Sequence, residues 1–116
     1  MQKILIVEDE AAQRILYKEE LGEMGYEIQL AASGEEALEM AKKDRPDLVV
    51  LDIMMPGIGG LETLREMLND NPHIPVIINT AYSHYKENFM SWAAEEYIVK
   101  SSDLTQLKEA IKRLLG

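Results

Sequence analysis

The feature that most constrains the fold is Leu48-Val49-Val50-Leu51, four apolar residues running without a break into the carboxylate of Asp52. A loop follows at once, Ile53-Met54-Met55-Pro56-Gly57-Ile58-Gly59-Gly60. A half-exposed strand alternates apolar with polar residues, whereas an unbroken run bounded by turn residues suits a strand covered on both faces. Such strands belong to parallel sheets with helices on either side. The strand stops where the loop begins, which places Asp52 at its carboxyl end. In open α/β sheets that edge is where ligands bind, so Asp52 is the first candidate for a reacting group.

The pattern recurs along the chain. Ile4-Leu5-Ile6-Val7 runs into Glu8, Asp9 and Glu10 and predicts a buried strand over 3–7. From Ala11 to Met24 the chain reads as a helix, with Leu16, Tyr17, Leu21 and Met24 on one side and Gly25 as its C′ residue. Tyr26 to Ala32 alternates loosely, as a strand nearer the sheet edge does. Ser33 and Glu36 form a capping-box pattern that opens a helix to about Asp44, with Ala37, Met40 and Ala41 inward. After the strand at 48–52, Gly59 and Gly60 release a helix from Leu61 to about Asn69, with Leu61, Leu64 and Leu68 as its inner stripe. Asn71-Pro72-His73 is a turn, and Pro75 to Asn79 a further buried strand ending at Thr80-Ala81. Ser83 to Ala93 reads as a helix carrying Tyr85, Phe89 and Trp92. Glu96 to Val99 is the last strand, ending at Lys100. Asp103, with Gln106 three residues on, caps a final helix that turns Leu104, Leu107, Ile111 and Leu114 inward. Five βα units in succession imply an α/β fold, a five-stranded parallel sheet covered on both faces with right-handed crossovers.

The 116 residues suffice for one domain, 1–116, with a core that needs no staples. There is no cysteine, which excludes disulfides, thiolate metal sites and cysteine nucleophiles. A formal net charge of −9 argues against binding a nucleic-acid backbone. No apolar run approaches the ~18 residues of a membrane span, and the first apolar run is too short for a signal peptide. A cytoplasmic protein without membrane contact is the expectation.

Parallel strands share a direction, so their carboxyl ends line one edge. That edge would gather Glu8 and Asp9 from the first strand, Asp52 from the third, Thr80 from the fourth and Lys100 from the fifth. Carboxylates ~4 Å apart repel by roughly 4 kcal/mol at an effective dielectric of 20, so the cluster calls for a cation. All-oxygen donors suit a hard ion such as Mg²⁺, held by one or two carboxylates with phosphate and water. A carboxylate beside such an ion can act as a nucleophile toward phosphorus, with Lys100 and Thr80 placed to meet the phosphoryl oxygens.

Taken together, Val7-Glu8-Asp9-Glu10, Leu51-Asp52-Ile53-Met54-Met55-Pro56 with Gly60, Thr80-Ala81 and Tyr97-Ile98-Val99-Lys100 resemble the receiver domain of response regulators in two-component signalling. The resemblance spans essentially the whole chain. It implies the doubly wound, flavodoxin-like (βα)5 fold with strand order 2-1-3-4-5. It implies that Asp52 accepts a phosphoryl group from a phosphohistidine of a sensor histidine kinase or histidine phosphotransfer domain. Glu8, Asp9, Asp52 and the backbone carbonyl of Met54 would hold Mg²⁺ (or Mn²⁺), with Asp9 and Asp52 the more direct ligands. Thr80 would be the switch hydroxyl, Lys100 the phosphate-pairing lysine and Tyr97 an aromatic that turns inward on activation. The surface of the fourth helix, last strand and last helix would then rearrange to control a downstream protein or a covalent output domain. A phosphorylation-dependent homodimer is compatible with this scheme.

Three departures from the family pattern stand out. Gly59 replaces a frequent acid, Ser101 follows Lys100 in place of a proline and its cis bond, and Ala93 or Ala94 replaces a glycine. Met54 and Tyr82 flank the expected path of water to the phosphoryl group. Neither can orient a water well, which points to slow self-dephosphorylation. His73 and His84 read as surface residues, and the methionines as core filler.

Other functions fit less well. A haloacid-dehalogenase-type phosphatase needs an acid two residues after its aspartate, where Met54 stands. A flavin carrier needs a hydroxyl- and glycine-rich loop after the first strand, where this chain is acidic. A pseudo-receiver that binds partners unphosphorylated would not need Asp9, Asp52, Thr80 and Lys100 together. The chemistry expected is self-phosphorylation and self-dephosphorylation, without turnover of a separate substrate.

Overall fold

In the computed structural model, which describes residues 1–54, 59–81 and 93–116, the apolar runs become a five-stranded parallel sheet in the order β2-β1-β3-β4-β5. Its strands are β1 (Lys3–Val7), β2 (Glu27–Ala31), β3 (Leu48–Leu51), β4 (Val76–Thr80) and β5 (Glu96–Val99). Four described helices accompany them: α1 (Ala11–Gly22), α2 (Gly34–Lys43), α3 (Gly60–Asp70) and α4 (Thr105–Leu115). The helix expected over 83–93, with Tyr85, Phe89 and Trp92, lies outside the described residues except for its last position, as does His84.

Strand pleating divides the apolar runs between two layers. Ile4, Ile6, Leu48, Val50, Ile77 and Ile98 face Tyr17 and Leu21 of α1 and Leu107 and Ile111 of α4. Leu5, Val7, Val49, Leu51, Val76 and Ile78 face Ala37 of α2 and Leu64 and Met67 of α3. This is why β1, β3 and β4 carry unbroken apolar runs: each successive residue meets a different helix layer. A fully buried Leu or Ile contributes about 1.5–3 kcal/mol, so the sheet's centre supplies much of the stability.

Local details refine the expected pattern. Leu16 does not join the inner stripe of α1. It is exposed, as is Ile15, and the stripe runs Tyr17, Leu21 and the half-buried Met24. Helix α1 ends at Gly22, and Gly25 takes a positive φ of 95° in the turn beyond, donating its N–H to Gly22 O at 3.0 Å. Ser33 caps α2 by accepting the Glu36 N–H at 3.1 Å, while the Glu36 carboxylate reaches back to Ala32 N–H at 2.8 Å rather than to the cap residue itself. At α4, Leu104 is the cap position, and Asp103 accepts the Thr105 N–H at 3.0 Å from one residue earlier. In α3, Thr63 and Met67 are buried beside Leu64, and the Thr63 hydroxyl is satisfied by Gly59 O at 2.7 Å.

The two glycines before α3 have different reasons to be there. Gly59 has φ 80°, a conformation that strains any side chain. At Gly60 a Cβ would lie 2.0 Å from Ile53 Cα, because the helix begins directly against the loop leaving β3. The Lys100–Ser101 bond is trans, as is every described peptide bond.

Candidate functional site

The register sets the strand ends level: Val7 pairs with Leu51 and Thr80 with Val99. Two further backbone bonds carry that alignment into the loops, Asp52 N–H to Val7 O at 3.0 Å and Lys100 N–H to Thr80 O at 2.7 Å. An open pocket of about 410 Å³ lies there, with Asp9, Asp52, Met54, Thr80 and Lys100 in its lining. Glu10 and Ala81 also line it and were not expected.

Lys100 is the hinge of the arrangement. Its ammonium donates to Glu8 Oε2 at 2.7 Å and to Asp52 Oδ2 at 2.8 Å. The three side chains are 18%, 2% and 7% exposed, so these charges meet largely out of water. The other oxygen of Asp52, Oδ1, accepts the Met54 N–H at 2.9 Å. One carboxylate oxygen is therefore held by the backbone and the other by a mobile-stemmed cation.

Glu8 and Asp9 are neighbours in sequence but not in environment. Glu8 is 1% exposed and sits under the pocket rather than in its lining, whereas Asp9 is exposed and lines it. The Glu8 Oε1 accepts the Glu10 N–H at 3.3 Å, and its carbonyl accepts from Arg14 Nη1 at 2.8 Å. Arg14, on the first turns of α1, thus ties down the acidic turn. Burial pushes the Glu8 carboxyl up to about 7; the Lys100 hydrogen bond pulls against this, and the Asp52 charge adds to it. Burial works to lower the Lys100 pKa, but its hydrogen bonds to Asp52 and Glu8 and their charges outweigh that and raise it.

Glu8, Asp9 and Asp52 each offer a carboxylate oxygen, all within 4.8 Å of one another. This all-oxygen donor set fits Mg²⁺ or Mn²⁺. Asp9 and Asp52 line the open pocket and Glu8 lies beneath it, with Lys100 engaging both Glu8 and Asp52.

The remaining candidates fall as follows. Thr80 is fully buried and at the pocket. Tyr97 is half-buried on β5, opposite Ile78, and packs against the α2/α3 layer. The Met54 side chain is 37% exposed at the rim. Tyr82 lies outside the described residues. Sequence reading passed over a buried bond from Asn79 Nδ2 to the Tyr17 hydroxyl at 2.9 Å; the signal was an amide inside an otherwise apolar strand. A second cavity, about 360 Å³ between α2 and α3 near Pro46, gathers no such cluster among the described residues; Lys42 and Asp70 in its lining stand 4.0 Å apart. No described helix is long and apolar enough to cross a membrane.

Comparison with known proteins bears on the same geometry. Residues 4–112 match the family model described as response regulator receiver domain. The chain is 38% identical over 116 residues to sporulation initiation phosphotransferase F of Bacillus subtilis, covering 98% of this chain and 94% of that protein. It is 37% identical to response regulator MprA of Mycobacterium leprae, of which it spans half the length. Among solved structures, response regulator protein TrrA from Thermotoga maritima in complex with Mg(2+)-BeF matches at 51% identity and TM-score 0.95, over 98% of this chain and 99% of that one. A chain in a structure of histidine kinase ThkA in complex with response regulator protein TrrA matches at 51% identity and TM-score 0.94, over 100% of this chain and 100% of that one.

Proposed function

We propose that this chain, which belongs to the response regulator receiver domain family, is a phosphoacceptor switch in which Asp52 takes a phosphoryl group from a phosphohistidine. The observation that carries the reading is the Lys100 ammonium, brought 48 residues along the chain to 2.8 Å from Asp52 at an open, acidic pocket.

In the step proposed, an Asp52 carboxylate oxygen attacks phosphorus as the P–N bond breaks. The imidazole keeps the bond's electron pair and takes a proton from water. The phosphoryl group arrives where Lys100 now meets Oδ2, so the ammonium leaves that oxygen for the phosphoryl oxygens. The Met54 N–H holds Oδ1 and with it the plane of the carboxylate. Thr80, at the end of the adjacent strand, offers its hydroxyl to the same oxygens. Asp9 and Asp52, with the Met54 carbonyl and with Glu8 behind them, would hold Mg²⁺, which supplies positive charge against the transferring oxygens. Glu8 stays below, keeping Lys100 in reach. Loss of the phosphoryl group to water is slow, because Met54 at the rim, and Tyr82, cannot orient an attacking water.

The donor is a sensor histidine kinase or histidine phosphotransfer domain. TrrA, a similar protein, is known bound to a histidine kinase. The recipient is a downstream protein or a covalent output domain, reached through the last strand, the last helix and Tyr97, with a phosphorylation-dependent homodimer as one form of output. The setting is cytoplasmic. The chain modifies itself and turns over no separate substrate.

The test is acetyl phosphate with Mg²⁺, followed by intact-mass measurement. The native chain should gain one phosphoryl group and the Asp52→Asn variant none. Equal labelling of the variant would overturn the assignment of the acceptor.

A further inference from the structure

Tyr17 of α1 and Asn79 of β4 form a buried polar pair beneath the pocket. They are 2% and 4% exposed, and Asn79 Nδ2 donates to the Tyr17 hydroxyl at 2.9 Å. Tyr17 belongs to a buried apolar layer with Ile4, Leu21, Ile77, Ile98, Leu107 and Ile111. Polar groups in such a layer lose their hydration, which hydrogen bonds offset only in part, and an apolar pair of the same shape is often as stable. Stability alone therefore gives no reason for the pair. What a hydrogen bond adds over apolar contact is direction.

The direction given concerns the end of β4. Successive residues of a strand point to opposite faces, so Asn79 reaches toward α1 while Thr80, the next residue, lines the pocket. The Thr80 carbonyl in turn accepts the Lys100 N–H at 2.7 Å. The Tyr17 phenol also lies within the field of the pocket. Burial raises its pKa, the Asn79 bond and Lys100 work to lower it, and Glu8 and Asp52 work to raise it.

We propose that the Tyr17–Asn79 hydrogen bond is a positioning device for phosphoryl transfer, fixing the carboxyl end of β4 against α1 and so holding the Thr80 hydroxyl in place at the pocket. This rests on the reading of Asp52 as phosphoacceptor. Neither residue touches the phosphoryl group; both act through Thr80. Acceptance and hydrolytic loss of the group pass through related arrangements of oxygens about phosphorus, so a loosely held hydroxyl slows both. The metal ligands sit at the ends of β1 and β3, so metal affinity stays unchanged.

The test compares native chain, Tyr17→Phe, and the double variant Tyr17→Phe/Asn79→Leu, each with Thr80 intact and with Thr80→Ala. Three quantities are measured: the labelling rate with acetyl phosphate and Mg²⁺, the rate of phosphate loss, and Mg²⁺ affinity by calorimetry. The double variant replaces the polar pair by an apolar one, and it should melt no lower than the native chain. Both variants should label and lose phosphate roughly tenfold more slowly, with unchanged Mg²⁺ affinity. In the Thr80→Ala background the same substitutions should alter neither rate. Native rates in the double variant, or slowing that persists without the Thr80 hydroxyl, would overturn the proposal. A native chain that takes no label would overturn the phosphoacceptor reading and this inference with it, a distinct outcome because no rate then exists to change.

Discussion

Replacing Lys100 by methionine keeps the stem of the side chain and removes its charge. Glu8 and Asp52, 2% and 7% exposed, would then face one another with no described cation between them. Breaking a buried ion pair by deleting one partner typically costs about 3–5 kcal/mol, against at most about 1 kcal/mol for an exposed pair. Lys100→Met should therefore lose about 3–5 kcal/mol at about pH 8 without divalent metal, a fall in Tm of roughly 12–20 °C at ~4 °C per kcal/mol for a domain of this size.

The loss should depend on pH, and Glu8 sets the sign. Its carboxyl is raised to about 7 from an ordinary 4.5, so the folded protein holds a proton that the unfolded chain releases between those values. The stability this confers is complete below 4.5 and is lost as pH rises through about 7. In the variant the hydrogen bond that pulls Glu8 downward is gone, so Glu8 keeps its proton to higher pH. At about pH 5.5 Glu8 is largely neutral with or without Lys100 and the deficit should narrow. Urea unfolding of both proteins at the two pH values, with and without Mg²⁺, measures it; Mg²⁺ should restore part of the loss. A deficit under about 1 kcal/mol at the higher pH, or one equal at both, would refute the buried-triad reasoning.

Other outcomes follow from single features. Gly60→Ala places a Cβ 2.0 Å from Ile53 Cα, and should cost about 3 kcal/mol or more in thermal unfolding; a variant as stable as the native chain would show that the start of α3 has room to shift. Ser33→Ala removes the cap that accepts from Glu36 N–H and should cost about 1 kcal/mol, read from the urea midpoint. Replacing Met54 and Tyr82 together by small or amide side chains should speed loss of the phosphoryl group, followed by mass after removal of the donor; an unchanged decay would exclude side-chain shielding of the site.

The legibility of this chain was uneven for physical reasons. Buried parallel strands announce themselves because the central residues of β1, β3 and β4 form unbroken apolar runs, and the segments that end them are acidic, hydroxylated or glycine-rich. Once those strands pair in parallel, register alone brings Asp52, Thr80 and Lys100 to one edge, which is why they could be grouped in advance. The different environments of Glu8 and Asp9 were harder to see. Adjacent side chains leaving a strand point to opposite sides, so one is buried under Lys100 and the other reaches the open pocket. Leu16 looked inward because its spacing to nearby apolar residues is helical; the actual stripe takes Tyr17, Leu21 and Met24 and leaves Ile15 and Leu16 in water. The Tyr17–Asn79 bond joins residues 62 apart, so the amide inside an apolar strand could show that a partner was needed but not which one. The Arg14 bond to the Glu8 carbonyl likewise depends on how α1 leaves β1.

The central claim is that Asp52 accepts a phosphoryl group broken from nitrogen. Phosphoramidate carries the same P–N bond in a small donor. After exposure to it with Mg²⁺, borohydride reduction of the acyl phosphate and peptide mapping should find the modification on the peptide holding Asp52, with no labelling when the metal is chelated. Modification at another residue, or none under any metal condition, would contradict the account.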